Sequence, residues 1–391
     1  MTSDAGTRQA VVTGVGVVST RGSGVDPFWG AIAAGEPAGR MWTPDDSERS
    51  FLAAALPDDY RAHPEIPRNL AHFLDRGSLL ALDAALQAIA AAGLGTGAGD
   101  SRRFGLTDGL AYRAPGQPTL FVPYGQLVAR ALGVRGPVTC TGGNESAGMT
   151  AIATAVNMVH RNQVDVVVAG AAQALQSNVL EQLRSQGMST MDLARPFDER
   201  HTGMMPAEGA AYIVIEDEGT ARERGATILA NIAGVGEVFD PGVEPLDVSD
   251  APDAGRAMQA ALADASFLQN QVDLIVSCAD GRERIDFAEG YGIKRTFGRH
   301  AYYAGVTTAA ASAGHALGAS GPLSVALALE AMRQQQAPPI AGFEQHEEDL
   351  DLAYIRELRA EHIDCVLVTS LGMGGTNVSL VLQKPETDQR A

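Results

Sequence analysis

Lysine is almost missing from this sequence: Lys294 and Lys384 are the only two in 391 residues. Arginine supplies the rest of the 29 basic residues, against 47 acidic ones, and the formal net charge is −18. A surface of that sign repels phosphate backbones and anionic lipid heads, which argues against nucleic-acid and membrane partners. Cysteine is as scarce. Cys140, Cys278 and Cys365 are odd in number, far apart, and never paired as C-x-x-C. That usage supports neither a zinc site nor a disulfide framework and fits a reducing, cytoplasmic compartment. No apolar run approaches the roughly eighteen residues of a membrane-spanning helix. The opening stretch, MTSDAGTRQAVVTGVG, has no basic region followed by an apolar one, so no signal peptide is expected. Neither a metal nor an organic cofactor is expected.

Aromatic residues are also few, at 5%, and charged residues make up only 19%. In their place stand 45% apolar residues and 44 glycines, with much alanine. Small side chains let helices lie close on sheets, and the chain is long enough for a large α/β core. Gln9–Val18 reads as a buried strand running into a turn. Residues 78–93 read as a core helix stopped by Gly93. Residues 94–120 are rich in Gly, Asp and Pro and read as a loop or a degenerate strand region. Pro137–Thr141 then reads as a strand, Gly142–Asn144 as a tight turn, Ser146–Val159 as a helix and Val164–Ala169 as a buried strand. This order implies a parallel sheet. Ala210–Ile215 closes a first half. The second half alternates in the same way, with strand Ile228–Val235, helix Ala254–Asp264, strand Val272–Ser277, helices Asp286–Phe297 and Gly321–Arg333, and strands Cys365–Thr369 and Asn377–Leu382. VDVVVAG at 164–170 and VDLIVSC at 272–278 hint at two related halves, divided as 1–226 and 227–391. The acidic stretch Glu347–Asp351 reads as a solvated loop.

Four segments in order carry a family resemblance: VVTGVGVVST (11–20), RPFDERHTGMMPAEGAAYIVIED (195–217), TTAAASAGHALGASGPL (307–323) and TSLGMGGTNVSLVL (369–382). Over nearly its whole length the chain resembles the β-ketoacyl-acyl-carrier-protein synthases. The resemblance implies a thiolase fold, an α/β architecture of two related βαβαβ halves in α-β-α-β-α layers. It also implies a chemistry. A cysteine at a helix N-terminus takes the acyl chain as a thioester. Two histidines assist decarboxylation of the malonyl unit, backbone N–H groups form an oxyanion hole, and a Lys and a Glu support them.

Most of those parts are replaced. Anchored on Gly148 and Ala151–Ile152, the nucleophile position falls on Glu145, a poor acyl acceptor. Without that register Glu145 would be simply a helix N-terminal acid favoured by the dipole. In VSCADGRERID (276–286), anchored on Asp286, the first histidine position falls on Cys278, a strand-end thiol. The lysine position falls on Ala310. The second histidine is kept as His315, either as a structural group or in a residual decarboxylase role. Glu208 keeps the acid of the GEGA motif, and Met373 stands where the closing motif has its gating Phe. Glu145 and Met373 would supply the oxyanion N–H groups, and Asn377, with Glu208, would give structural support.

The resemblance therefore implies no condensing residues. It points to a chain-length factor, the partner subunit of a type II polyketide ketosynthase, of the kind found in polyene or other highly reducing systems. Such a subunit forms a heterodimer with a cysteine-bearing ketosynthase and shapes the acyl tunnel. It meets acyl carrier protein only through the complex, and it is not catalytic alone within an acyltransferase complex. Residues 106–129 fall where the interface and tunnel loops occur. Other readings stay open: a malonyl-carrier-protein decarboxylase, an active ketosynthase using Cys140 through a gapped register, and a homodimeric acyl-binding protein.

Overall fold

The computed structural model describes residues 8–44, 47–66, 71, 74–95, 101–110, 124–241 and 252–385. Its framework is set by strands so apolar that they are buried on both faces. β1 (Ala10–Ser19, AVVTGVGVVS) has no exposed position. Four more strands join it: β2 (Phe104–Gly109), β3 (Val138–Thr141), β4 (Val166–Gln173) and β5 (Gly209–Asp217). The second half supplies β6 (Ala230–Phe239), β7 (Leu274–Val276), β8 (Gly305–Thr307), β9 (Cys365–Leu371) and β10 (Thr376–Gln383).

The spatial order is β3-β2-β4-β5-β1 in the first half and β8-β7-β9-β10-β6 in the second. Counted from the first strand of each half, the two orders are identical. So are the directions: the two outer pairs are parallel and the two inner pairs antiparallel. The halves meet where Val11 and Val12 of β1 face Asn231 and Ala230 of β6.

Helices follow the same doubling. α1 (Arg76–Ala91) and α2 (Tyr124–Ala131) cover one outer face. α4 (Pro252–Asp264) and α5 (Glu283–Phe297) cover the other. α3 (Ala147–His160) and α6 (Ser320–Gln334) touch each other and both sets of strands, forming the middle layer. The expected five-layered α-β-α-β-α fold is present.

Close approach explains two pairs of glycines. A Cβ on Gly14 or Gly16 of β1 would lie 2.2 or 2.0 Å from the carbonyl oxygens of Ala88 and Ala84 on α1. A Cβ on Gly234 or Gly236 of β6 would lie 2.2 or 2.0 Å from those of Ala261 and Ala257 on α4. Each outer helix thus rests its backbone on a Gly-x-Gly step in the first strand of its half.

Two features resolve or add to the sequence reading. Residues 94–120 contain a central strand, β2, parallel to both β3 and β4. Its ending Thr-Asp-Gly tolerates burial because Asp108 is satisfied: it accepts from the Tyr212 hydroxyl and, at 2.9 Å, from Gly125 N–H. The structure also has a helix at Ser177–Ser185 that the sequence pattern does not announce. The tunnel segment 106–129 lies partly outside the described residues, at 111–123. Among the described residues no helix is long and apolar enough to cross a membrane, and no group of His, Cys, Asp and Glu is arranged to hold a metal.

Candidate functional site

The site begins as a turn that ordinary side chains resist. After β3 the chain passes through Gly143 at φ +133° and Asn144 at φ +52°, backbone that glycine and asparagine tolerate best. A short 3-10 turn, Asn144–Ser146, then leads into α3. Glu145 sits on this elbow, 3% exposed, where the positive end of the helix dipole favours an acid. The closing loop before β10 is tied to it: the Ser146 hydroxyl donates to the Thr376 carbonyl at 2.8 Å, and the Ser370 hydroxyl to Ser146 Oγ at 3.2 Å.

Glu145 is held at both oxygens. Met373 N–H donates to Oε2 at 3.1 Å, and the Arg282 guanidinium donates to Oε1 at 3.2 Å. The backbone N–H assigned to an oxyanion hole thus already has a carboxylate on it. Arg282 is itself buried and forks onto Asp280, with Nε and Nη2 at 2.9 and 2.7 Å from Oδ2. Nε2 of His315 lies 3.5 Å from the same Asp280 oxygen. The cluster therefore holds two acids, one guanidinium and one imidazole. Burial works against the Arg282 charge, but Asp280 and Glu145 more than offset it and raise its pKa further. Burial alone would raise the Asp280 carboxyl; the Arg282 guanidinium beside it brings it below the ordinary value. Burial lowers His315, and Asp280 offsets only part of that, which favours the neutral ring.

The remaining expected positions are placed as follows. Cys278 ends at the same centre, but its thiol donates to Glu289 Oε2 at 3.1 Å, and Glu289 also accepts from Thr369. Burial and the Glu289 charge push the thiol pKa well up, so it is protonated at neutral pH. Ala310 is buried at the start of a short helix, Ala310–Ala313. Glu145, Cys278, Ala310 and His315 line one small cavity of about 20 Å3, room for a single water. His315 Nδ1 has no hydrogen-bond partner among the described residues.

Glu208 is not part of this centre. Its carboxylate accepts from Leu56 N–H at 3.0 Å and from Arg76 at 2.8 and 3.0 Å. It anchors the start of α1; its chain neighbours reach the His315 backbone instead, Ala207 N–H donating to the His315 carbonyl at 3.0 Å and the Met205 carbonyl accepting from His315 N–H at 2.7 Å. Asn377 is buried on β10 between Leu371 and Val238. Cys140 lies within β3, opposite Asp108 and ahead of the elbow.

Two openings approach Glu145 from outside. One is an apolar recess of about 190 Å3, walled by Val179, Leu183, Met188, Leu317 and Met373. The other is an open cleft of about 500 Å3, lined by His201, Thr202, Arg282 and Arg284 among others. His201 is held by Asp286, with Nδ1 3.2 Å from Oδ2. Asp286 also accepts from the N–H groups of Phe197, Asp280 and Gly281 at 2.8, 3.1 and 3.2 Å, and so fixes the turn that carries Asp280 and Arg282.

Sequence reasoning alone misses Asp280 and Arg282. The available signal is a pair of opposite charges in ADGRERID, where the family pattern has a run of Gly and Thr after its histidine.

Known proteins match the chain in sequence and in fold. Residues 7–221 match the N-terminal domain of β-ketoacyl synthases and residues 229–344 the C-terminal domain. A Streptomyces violaceoruber protein named granaticin polyketide β-ketoacyl synthase 1 is 30% identical, with 97% of this chain and 99% of that one aligned. The structure of a β-ketoacyl synthase from Burkholderia phymatum superposes with a TM-score of 0.87 at 28% identity, covering 97% of this chain and 100% of that one. The ishigamide ketosynthase/chain length factor shares the fold, with a TM-score of 0.89 at 24% identity over 97% of this chain and 99% of that one. By its sequence matches, its doubled five-strand topology and its elbow, the chain belongs to the β-ketoacyl synthase family.

Proposed function

We propose that the chain is a non-condensing, chain-length-factor subunit that pairs with a cysteine-bearing ketosynthase in type II polyketide synthesis. One observation carries this reading. The side chain on the elbow is a carboxylate, and it already occupies the Met373 N–H. An acyl acceptor here must attack a thioester and hold the chain in a stable bond. A carboxylate would give a labile anhydride.

The surrounding groups support the same conclusion. At the first histidine position stands a protonated thiol bonded to Glu289. At the lysine position stands an alanine methyl. His315 remains, but its Nε2 faces Asp280. Cys140 belongs to a strand, not to the turn at the helix N-terminus where a thiolate would be stabilised. The polyketide assignment draws on the name of the granaticin relative.

In this reading the partner's cysteine holds the acyl chain and carrier protein docks on that partner. This subunit completes the tunnel, with side chains at its end setting how many extensions fit. Each further methylene buried is worth about 0.8 kcal/mol, and overpacking costs about 1–3 kcal/mol.

The test is co-expression with a cysteine-bearing ketosynthase encoded nearby, then intact-mass analysis after exposure to acyl-carrier-protein thioesters. The expected result is a one-to-one complex in which only the partner gains the acyl mass. Acyl mass on this chain, lost in Cys140→Ala, would instead show an active ketosynthase.

A further inference from the structure

Arg282 touches Glu145, Asp280 and Met373 at once, and the non-condensing role does not by itself call on it. We propose that Arg282 locks the elbow against acyl thioesters by holding the Glu145 carboxylate on the Met373 N–H. This rests on the non-condensing reading and adds the residue that enforces it.

Arg282 and Met373 line the open cleft, Met373 and Glu145 line the apolar recess, and Glu145 lines the inner cavity. The three residues stand where these spaces meet. Arg282 Nη1 lies 3.2 Å from Glu145 Oε1 and 3.0 Å from Met373 Sδ, so one guanidinium nitrogen fixes both the acid and the side chain of the closing loop.

A carbonyl can reach the Met373 N–H only if Glu145 Oε2 withdraws from it. Withdrawal would part a carboxylate and a guanidinium that are 3% and 8% exposed. Separated charges in such a place are far less stable than paired ones. A side chain of the same bulk but no charge would turn aside at much lower cost. The barrier is therefore the ion pair rather than the volume at position 145.

Arg282 is also braced from behind. Asp280 takes the other edge of the guanidinium, so the arginine cannot swing into the cleft without losing two partners. Asp286 accepts from the backbone of Asp280 and Gly281, which keeps the turn itself in place.

The test uses the full chain with its co-purified ketosynthase and a short-chain acyl pantetheine amide bearing a diazirine at the acyl end. Irradiation and intact mass show which subunit is labelled. Wild type is expected to be labelled on the partner alone. Arg282→Met keeps Glu145 but removes its counter-charge. Glu145→Gln keeps the bulk but removes the charge, and it is the milder change should the first fail to fold. Each folded variant is expected to gain labelling on this chain of at least about tenfold, the factor equivalent to one charge-assisted hydrogen bond. Wild-type labelling equal to that of the variants overturns the lock, as does a folded Glu145→Gln chain labelled no more than wild type. Neither result touches the non-condensing reading, which fails only if wild type takes covalent acyl mass from carrier-protein thioesters.

Discussion

Cys278 and Cys365 sit in a protein whose family performs thiol chemistry, yet both are held as thiols. Burial and Glu289 raise Cys278, and burial, with Asp273 and Asp364 nearby, pushes Cys365 up to about 12. Iodoacetamide at pH 8 is expected to leave both unmodified in the native protein and to alkylate both after unfolding, as peptide mass spectrometry would read. Rapid native alkylation of Cys278 would make it a candidate nucleophile. His201 offers a test through pH. Burial lowers its pKa, but Asp286, with Glu347 and Glu283, more than offsets this and the net shift is upward. A raised folded-state pKa adds stability that is complete below the unfolded value of about 6.5 and lost as pH rises through the folded value. The stability difference between wild type and His201→Gln in urea unfolding should therefore be largest at about pH 5.5 and shrink as pH rises above about 6.5. Glu145 is legible in the sequence because Gly148 and Ala151–Ile152 fix the register around it. Arg282 is not, because its partner lies 137 residues away and nothing local shows that the two meet.

Strands and helices are easier to read than side-chain partners. Continuous apolar runs mark β1, β4, β9 and β10, and alanine-rich periodicity marks α1, α3 and α6. β2 reads only as a loop or a degenerate strand because its sequence, FGLTDG, has little strand character of its own. It is a strand through its two parallel neighbours and through the partners that satisfy Asp108. Ser177–Ser185 escapes notice for a related reason: only Val179, Leu180 and Leu183 are buried, a narrow stripe in a short polar segment. The Gly-x-Gly steps make a prediction for elements. Gly16→Ala and Gly236→Ala each put a methyl about 2.0 Å from a helix carbonyl oxygen. Each should cost about 1–3 kcal/mol or more by urea unfolding, since α1 or α4 must lift off its strand. Gly30, with no described atom within 4 Å of its Cβ position, is the control and should tolerate Ala.

At the scale of the molecule, the repeated strand order places two helix N-termini in the middle layer, those of α3 and α6. The turns that lead into them share a form. Asn144 at φ +52° and Leu317 at φ +43° each fall at the start of a short 3-10 turn, and Gly148 and Gly321 then lie at matching places in the two helices. Gly148 packs against the Gly318 carbonyl and Pro322, and Gly321 against Met149. In this doubling Glu145 corresponds to Gly318. The sequence discloses two halves only faintly, through VDVVVAG and VDLIVSC, because what they share is mainly backbone path and the positions of small residues. The matching turn closes with no side chain at all. The elbow's shape thus makes no demand on the chemistry it displays. The residue at that point can therefore change without endangering the scaffold, and what fixes Glu145 is its neighbours, Arg282 and the Met373 N–H, rather than the turn.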